Sequence, residues 1–224
     1  MSSEIKTNTI SEVTSANGVS IDGLNIKDSA VNTGAIGSSV TGNWGWKLLQ
    51  TITFGGSNST VDVGSSSLLT TSYSTYKIIL EDIFLANAVN LRLQFYINSS
   101  LADSTGYDYL SHGYDSGGTH RIANSHSEAN MRINTIAYNG VADVIGINAE
   151  MTVNKPTDTR WHTTYWTGGF HNSSNYINRF VGTGGHARNQ NTGDKGALTG
   201  FKIYTSNSSN PSRGTIRLYG VINA

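Results

Sequence analysis

Apolar side chains fall at every second position through residues 91–97, where Leu91, Leu93, Phe95 and Ile97 alternate with Arg92, Gln94 and Tyr96. A period of two is that of a strand with one face in a core and the other toward water. The same patterning, set between clusters of Gly, Asn, Asp and Ser, recurs over 47–54, 60–63, 76–83, 107–112, 131–137, 143–153, 160–170, 176–182, 198–206 and 215–222. On the last of these it turns Ile216, Leu218 and Gly220 inward. No window sustains a helical period for three turns. The pattern predicts an all-β chain whose main body, residues 44–224, is an antiparallel β-sandwich head, jelly-roll-like, with a closed barrel as the second choice.

Residues 1–43 are patterned differently. From Thr9 to Asp28 an apolar residue stands at every second or third position, and Asn17-Gly18 and Asp22-Gly23 supply turn signals. Short strands are expected, yet burying half a dozen such side chains cannot offset the entropy of fixing about thirty residues of backbone. The segment therefore calls for a partner surface, with Ile10, Val13, Val19, Ile21, Leu24 and Ile26 as its anchoring or oligomer-interface residues. Residues 29–43 are small and polar and read as a neck. This gives two parts: an extended, β-rich anchoring and trimerisation arm with its neck, and the head.

The run Ile10-Ser11-Glu12-Val13-Thr14-Ser15-Ala16-Asn17-Gly18-Val19-Ser20-Ile21-Asp22-Gly23-Leu24-Asn25-Ile26-Lys27-Asp28 resembles a leader shared by many tailed-bacteriophage virion proteins, among them tail fibres and other surface appendages. The segments Tyr76-Lys77-Ile78-Ile79-Leu80-Glu81-Asp82-Ile83, Leu91-Arg92-Leu93-Gln94-Phe95, Gly200-Phe201-Lys202-Ile203-Tyr204 and Gly214-Thr215-Ile216-Arg217-Leu218-Tyr219-Gly220-Val221 are similar to landmarks of a β-sandwich head of phage tail and surface proteins. The resemblance implies a virion component, commonly a homotrimer, with a location on the virion surface and other virion proteins of tail or capsid as partners.

Charge narrows the choice of partner. Fifteen basic side chains balance fifteen acidic ones, and charged residues make up only 13% of the chain. No net field steers nucleic acid or an anionic membrane toward it. There is no cysteine, so disulfides and thiolate zinc sites are excluded, and stability must come from packing and assembly. No apolar run reaches the length of a membrane-spanning helix, and Met1 to Lys6 lack the basic-then-apolar order of a signal peptide, so synthesis in a host cytoplasm without membrane insertion is expected.

Chemistry is sparse. A glycan-cleaving site needs two carboxylates roughly 5–9.5 Å apart across a cleft, and no spacing singles out a pair among Asp103, Asp108, Asp115, Glu128, Asp143 and Glu150. The six histidines, His112, His120, His126, His162, His171 and His186, form no metal-binding motif, although one lying on a threefold axis would occur three times and could hold an ion. The glycine-rich run Gly182 to His186 lacks the context of a phosphate loop and reads as turns. No catalytic residue, metal ligand or cofactor is expected. What remains is aromatic and polar: Tyr107, Tyr109, Tyr114, Trp161 and Trp166, with Tyr165 and Tyr176, stand among Asn, Asp, Ser and His. That mixture suits the stacking of a sugar face, a subunit contact or a core, and alternate members of 161–166 must point into a core.

Three functions follow as expectations. The first is a non-enzymatic, trimeric tail-fibre or short appendage protein that binds host-surface glycan. The second is a capsid decoration, or cement, protein docking on the shell. The third, an envelope-polysaccharide hydrolase, is disfavoured by the missing carboxylate pair.

Overall fold

The computed structural model describes residues 19–21, 24–27, 30–31, 45–55, 60–85, 89–102, 106–135, 146–154, 162–171, 176–186, 196–206 and 211–222. The chain divides into two compact units, residues 1–44 with 224, and Gly45–Asn223. In the first, β1 (Val19–Ile21), β2 (Leu24–Lys27) and β3 (Ala30–Val31) form an antiparallel three-stranded sheet. Its register sets Val19 opposite Ile26 and Ile21 opposite Leu24, so four of the six expected anchoring residues are cross-strand partners. Ile10 and Val13 lie outside the described residues. β3 falls within the stretch read as neck, where it pairs Ala30 with Lys27 and Val31 with Ile26.

The second unit holds β4 (Trp46–Gly55), β5 (Thr60–Val63), β6 (Tyr73–Leu85), β7 (Leu91–Ile97), β8 (Ser100–Leu101), β9 (Tyr107–Asp115), β10 (His120–Glu128), β11 (Met131–Arg132), β12 (Ile147–Asn154), β13 (His162–His171), β14 (Ile177–His186), β15 (Leu198–Thr205) and β16 (Pro211–Ile222). Among the described residues there is no helix. Eight strands form one antiparallel sheet in the order β10-β9-β14-β13-β12-β6-β16-β4, and β11-β7-β15-β5, with β8 beside β7, form the other. The antiparallel sandwich expected from the alternation is what the chain forms. The strand order, with its unequal sheets, does not by itself establish a jelly roll.

One hydrophobic core joins the two sheets. Tyr76, Ile78 and Leu80 of β6, Ile216 and Leu218 of β16, and Met151 and Val153 of β12 meet Leu91, Leu93 and Phe95 of β7 and Phe201 and Ile203 of β15. Alternation holds on β7 with one exception, since Gln94 is buried too, its amide donating to the Ala129 carbonyl at 2.7 Å. On the free side of β7, β11 pairs as far as Leu93 and β8 begins at Tyr96. The Phe95 amide between them donates instead to the Tyr107 hydroxyl at 2.7 Å, so a side chain completes the ladder.

Two expectations about elements are corrected. His120–Glu128 forms β10, an edge strand absent from the predicted set, because only Ala123 on it is buried and an uncovered strand needs no hydrophobic alternation. The run Gly182 to His186 is not a turn but the end of β14, paired on both sides, with Gly182 opposite Trp166 and Ser111 and Gly184 opposite Thr164 and Tyr109. Close packing explains its glycines. A Cβ at Gly182 would come within 2.5 Å of the Trp166 ring, at Gly184 within 2.7 Å of the Tyr109 Cβ, and at Gly185 within 2.3 Å of the His162 carbonyl oxygen.

Candidate functional site

The outer face of the eight-stranded sheet is where the sequence places aromatic and hydroxyl side chains in the open. On β13 the alternation drives His162, Thr164 and Trp166 inward and leaves Thr163, Tyr165 and Thr167 outward. Across the ladder Tyr165 stands opposite Thr183 on β14 and Thr152 on β12, and Thr183 is in turn opposite Leu110 on β9. Directly opposed residues of antiparallel strands share a face, so Leu110, Thr183, Tyr165 and Thr152 form one row across four strands. Tyr165 is 54% exposed.

Two hollows flank this row. The larger, about 340 Å³, lies among Asp108, Leu110, Ser125, His126, Thr163 and Thr183, with Gly184 and Gly185 in its floor. The smaller, about 270 Å³, lies among Glu150, Thr152, Tyr165, Thr167 and Val181, with Gly182 and the edge of Trp166 beneath it. Roughly three residues of β14 separate the floors, on the order of 10 Å. Gly185, opposite the outward-facing Thr163, leaves the strand bare at the larger hollow, whereas a Cβ at Gly182, opposite the inward-facing Trp166, would meet the indole on the core side.

Acidic groups at the rims are held in place. The Asp108 carboxylate accepts from the His126 imidazole at 2.8 Å and from the Ser127 amide at 3.0 Å through the same oxygen. Ser127 adopts a left-handed backbone, φ 73°, at the bulge between β10 and β9, and this turns its N–H toward Asp108. Glu150 is bonded to Lys77, whose ammonium lies 3.7 Å from the centre of the Trp46 ring. Asp108 and Glu150 are three strands apart and four residues out of register, about 19 Å at ordinary sheet spacings, twice the span of a glycosidase pair. Asp115 accepts from the Thr119 amide in the β9–β10 turn and Glu128 from the Ser125 hydroxyl, while Asp103 and Asp143 lie outside the described residues.

The five aromatic candidates separate clearly. Tyr107 and Trp166 are 0% and 2% exposed, which puts them in the core, one of the three placements open for this group. Tyr107 packs edge-on against Phe95, and the Trp166 indole N–H donates to the Ile133 carbonyl at 2.9 Å. Tyr109 is half-buried at the wall of the larger hollow, and burial pushes its phenol pKa up. Tyr114 is exposed at the far end of β9 and stacks on His120, ring centres 4.6 Å apart and planes 13° apart. Trp161 lies outside the described residues. Thr163, Thr183, Leu110 and the bare glycines escaped the sequence reading because their role is defined by cross-strand register, which no local pattern encodes.

Histidines serve different ends. His162 is buried with its Nε2 2.7 Å from the Gly196 carbonyl, and His186 packs edge-on against Tyr107. His112 and His120 lie edge to edge on the surface, Nδ1 to Nε2 at 3.3 Å. Among the described residues no three of His, Asp and Glu gather as a metal site would require.

A scan against protein-family models, a search of curated proteins and a search of solved structures each return no match.

Proposed function

We propose that this chain is a non-enzymatic structural protein of a tailed-phage virion, a trimeric tail-fibre or short surface appendage that binds host-surface glycan with the outer face of its eight-stranded sheet. The observation that carries the binding reading is the exposed ring of Tyr165 between two hollows rimmed by hydroxyls and held carboxylates. An open aromatic ring stacks on the apolar face of a pyranose, and Thr163, Thr183, Thr152 and the second oxygen of Asp108 offer partners to its hydroxyls. Shallow hollows on a flat sheet favour weak single contacts that become useful when repeated around a threefold axis. The virion assignment draws its support from the order of residues in 10–28 and from the head landmarks quoted above.

The test is binding of the full chain to purified host-envelope polysaccharide, followed by interferometry. Substituting Tyr165→Ala should weaken binding about tenfold, the worth of one stacked ring. Equal binding by the variant, or no glycan bound by the parent, rejects this face as the site. Chromatography of the same mixture should show no shortened chains. A capsid decoration role, with the head docked on the shell, is the second reading. Copy number per virion separates the two, a few dozen at most for an appendage and hundreds for a cement protein.

A further inference from the structure

The outer face of the five-stranded sheet carries a charge arrangement unlike anything on the other sheet. Arg132 on β11 stands directly opposite Arg92 on β7, and Arg92 directly opposite Tyr204 on β15. Like charges opposed across antiparallel strands repel, and they are ordinarily separated or neutralised by a carboxylate. Among the described residues neither arginine is ion-paired with one. The ion pairs of the described residues are Lys77 with Glu150, His126 with Asp108, Arg213 with Asp82 and Arg217 with Glu81.

Both guanidiniums are nonetheless fixed. Arg132 donates from Nε to the Asn134 carbonyl at 3.0 Å and from Nη2 to the Thr135 carbonyl at 2.7 Å. Arg92 donates from Nη1 to the Asn130 side-chain oxygen at 2.7 Å, and Asn130 also bonds the Tyr204 hydroxyl. These acceptors are neutral and, among the described residues, Nη1 of Arg132 and Nη2 of Arg92 have no acceptor and the Arg92 Nε is enclosed without a partner. Both side chains are half-buried, and burial together with the charge of Arg92 lowers the pKa of Arg132. Tyr109 and Tyr204 are the phenols nearest the pair, and burial raises their pKa values, so both remain neutral hydrogen-bond donors at physiological pH. Two fixed, half-desolvated cations at opposed positions of neighbouring strands, with no ion pair among the described residues, are stabilised by an anion that accepts from both.

We infer that Arg92 and Arg132 form a binding site for one oxyanion group, a carboxylate or a phosphate, on the outer face of the five-stranded sheet. The site is independent of the glycan face and of the virion assignment. Planar forks match a carboxylate or phosphate edge, so binding should exceed that of chloride at equal ionic strength.

The experiment uses the full chain, with inorganic phosphate and sodium glucuronate as the two probes and sodium chloride holding ionic strength constant. Calorimetry should give saturable binding of both probes, and the melting temperature should rise with each beyond the chloride control. Arg92→Gln and Arg132→Gln should each weaken binding about tenfold or more, with Arg92→Lys between parent and Gln. If a variant does not fold, the side-chain Nε–Hε resonances of the two arginines in the parent give the readout: both should shift on addition of either probe. Phosphate binding alone would limit the site to tetrahedral anions, and glucuronate binding alone to carboxylates, each still supporting an oxyanion site. Effects no larger than those of chloride overturn the inference, as does undiminished binding by both Gln variants. So does an oligomer that binds neither probe and that Arg92→Gln dissociates, which would put a carboxylate of a second copy against the pair.

Discussion

At Tyr107 a single hydroxyl satisfies a buried backbone amide that no strand reaches. Tyr107→Phe keeps the ring and leaves the Phe95 N–H without its acceptor, so urea unfolding should show a loss of about 1–3 kcal/mol at constant m value. Tyr96 makes a different case. Burial, aided by its hydrogen bond to Asp62 at 2.8 Å, pushes its phenol pKa up to about 12. Because the folded value lies above the unfolded value of 10, the stabilising effect is complete below pH 10 and is lost between about pH 10 and 12. Tyr96→Phe should therefore flatten the fall of stability with pH in that window and leave the slope below it unchanged, as measured by unfolding at a series of alkaline pH values.

The strands show where a sequence speaks and where it is silent. β7 and β16 are legible because each has one face in the core, so Leu91, Leu93, Phe95, Ile216 and Leu218 write the period of two directly. β10 is silent, since Ala123 is its only buried side chain and Ile122 is 55% exposed. The latter half of β14 misleads, because glycine there answers to a neighbour, Trp166, and not to a turn. The candidate site was half legible for the same reason: Tyr165 follows from alternation beside Trp166, but the hollows depend on which strands lie next to β13. Two substitutions express the contrast. Gly182→Ala should cost about 1–3 kcal/mol by forcing the indole aside, whereas Ile122→Thr should stay within about 0.5 kcal/mol, both read from chemical denaturation.

For the whole molecule the proposed assembly sets the scale. In the described part of the arm, β1, β2 and β3 are only two to four residues long and their register opposes Val19 to Ile26 and Ile21 to Leu24, a small sheet that association of copies would stabilise. Three associated copies of a 24.0 kDa chain should scatter light as a particle of about 72 kDa. A monomer at micromolar concentration with residues 1–40 still resistant to protease would contradict that. Replacing Ile21 and Leu24 together by Asp should dissociate the trimer and leave the strand-rich circular dichroism of the head intact, since the head has its own core.

The bare half of β14 has a consequence for descent. Its three glycines face a ring, a tyrosine Cβ and a backbone carbonyl, each too close to admit a methyl group without displacement, so substitution in the floors of both hollows costs stability. Thr163, Tyr165 and Thr183 around them point outward from paired strands and bear no such constraint. Diversity among descendants of this chain would then collect at those three codons while 182, 184 and 185 stay glycine, letting a lineage vary the proposed binding face without reshaping the floor beneath it.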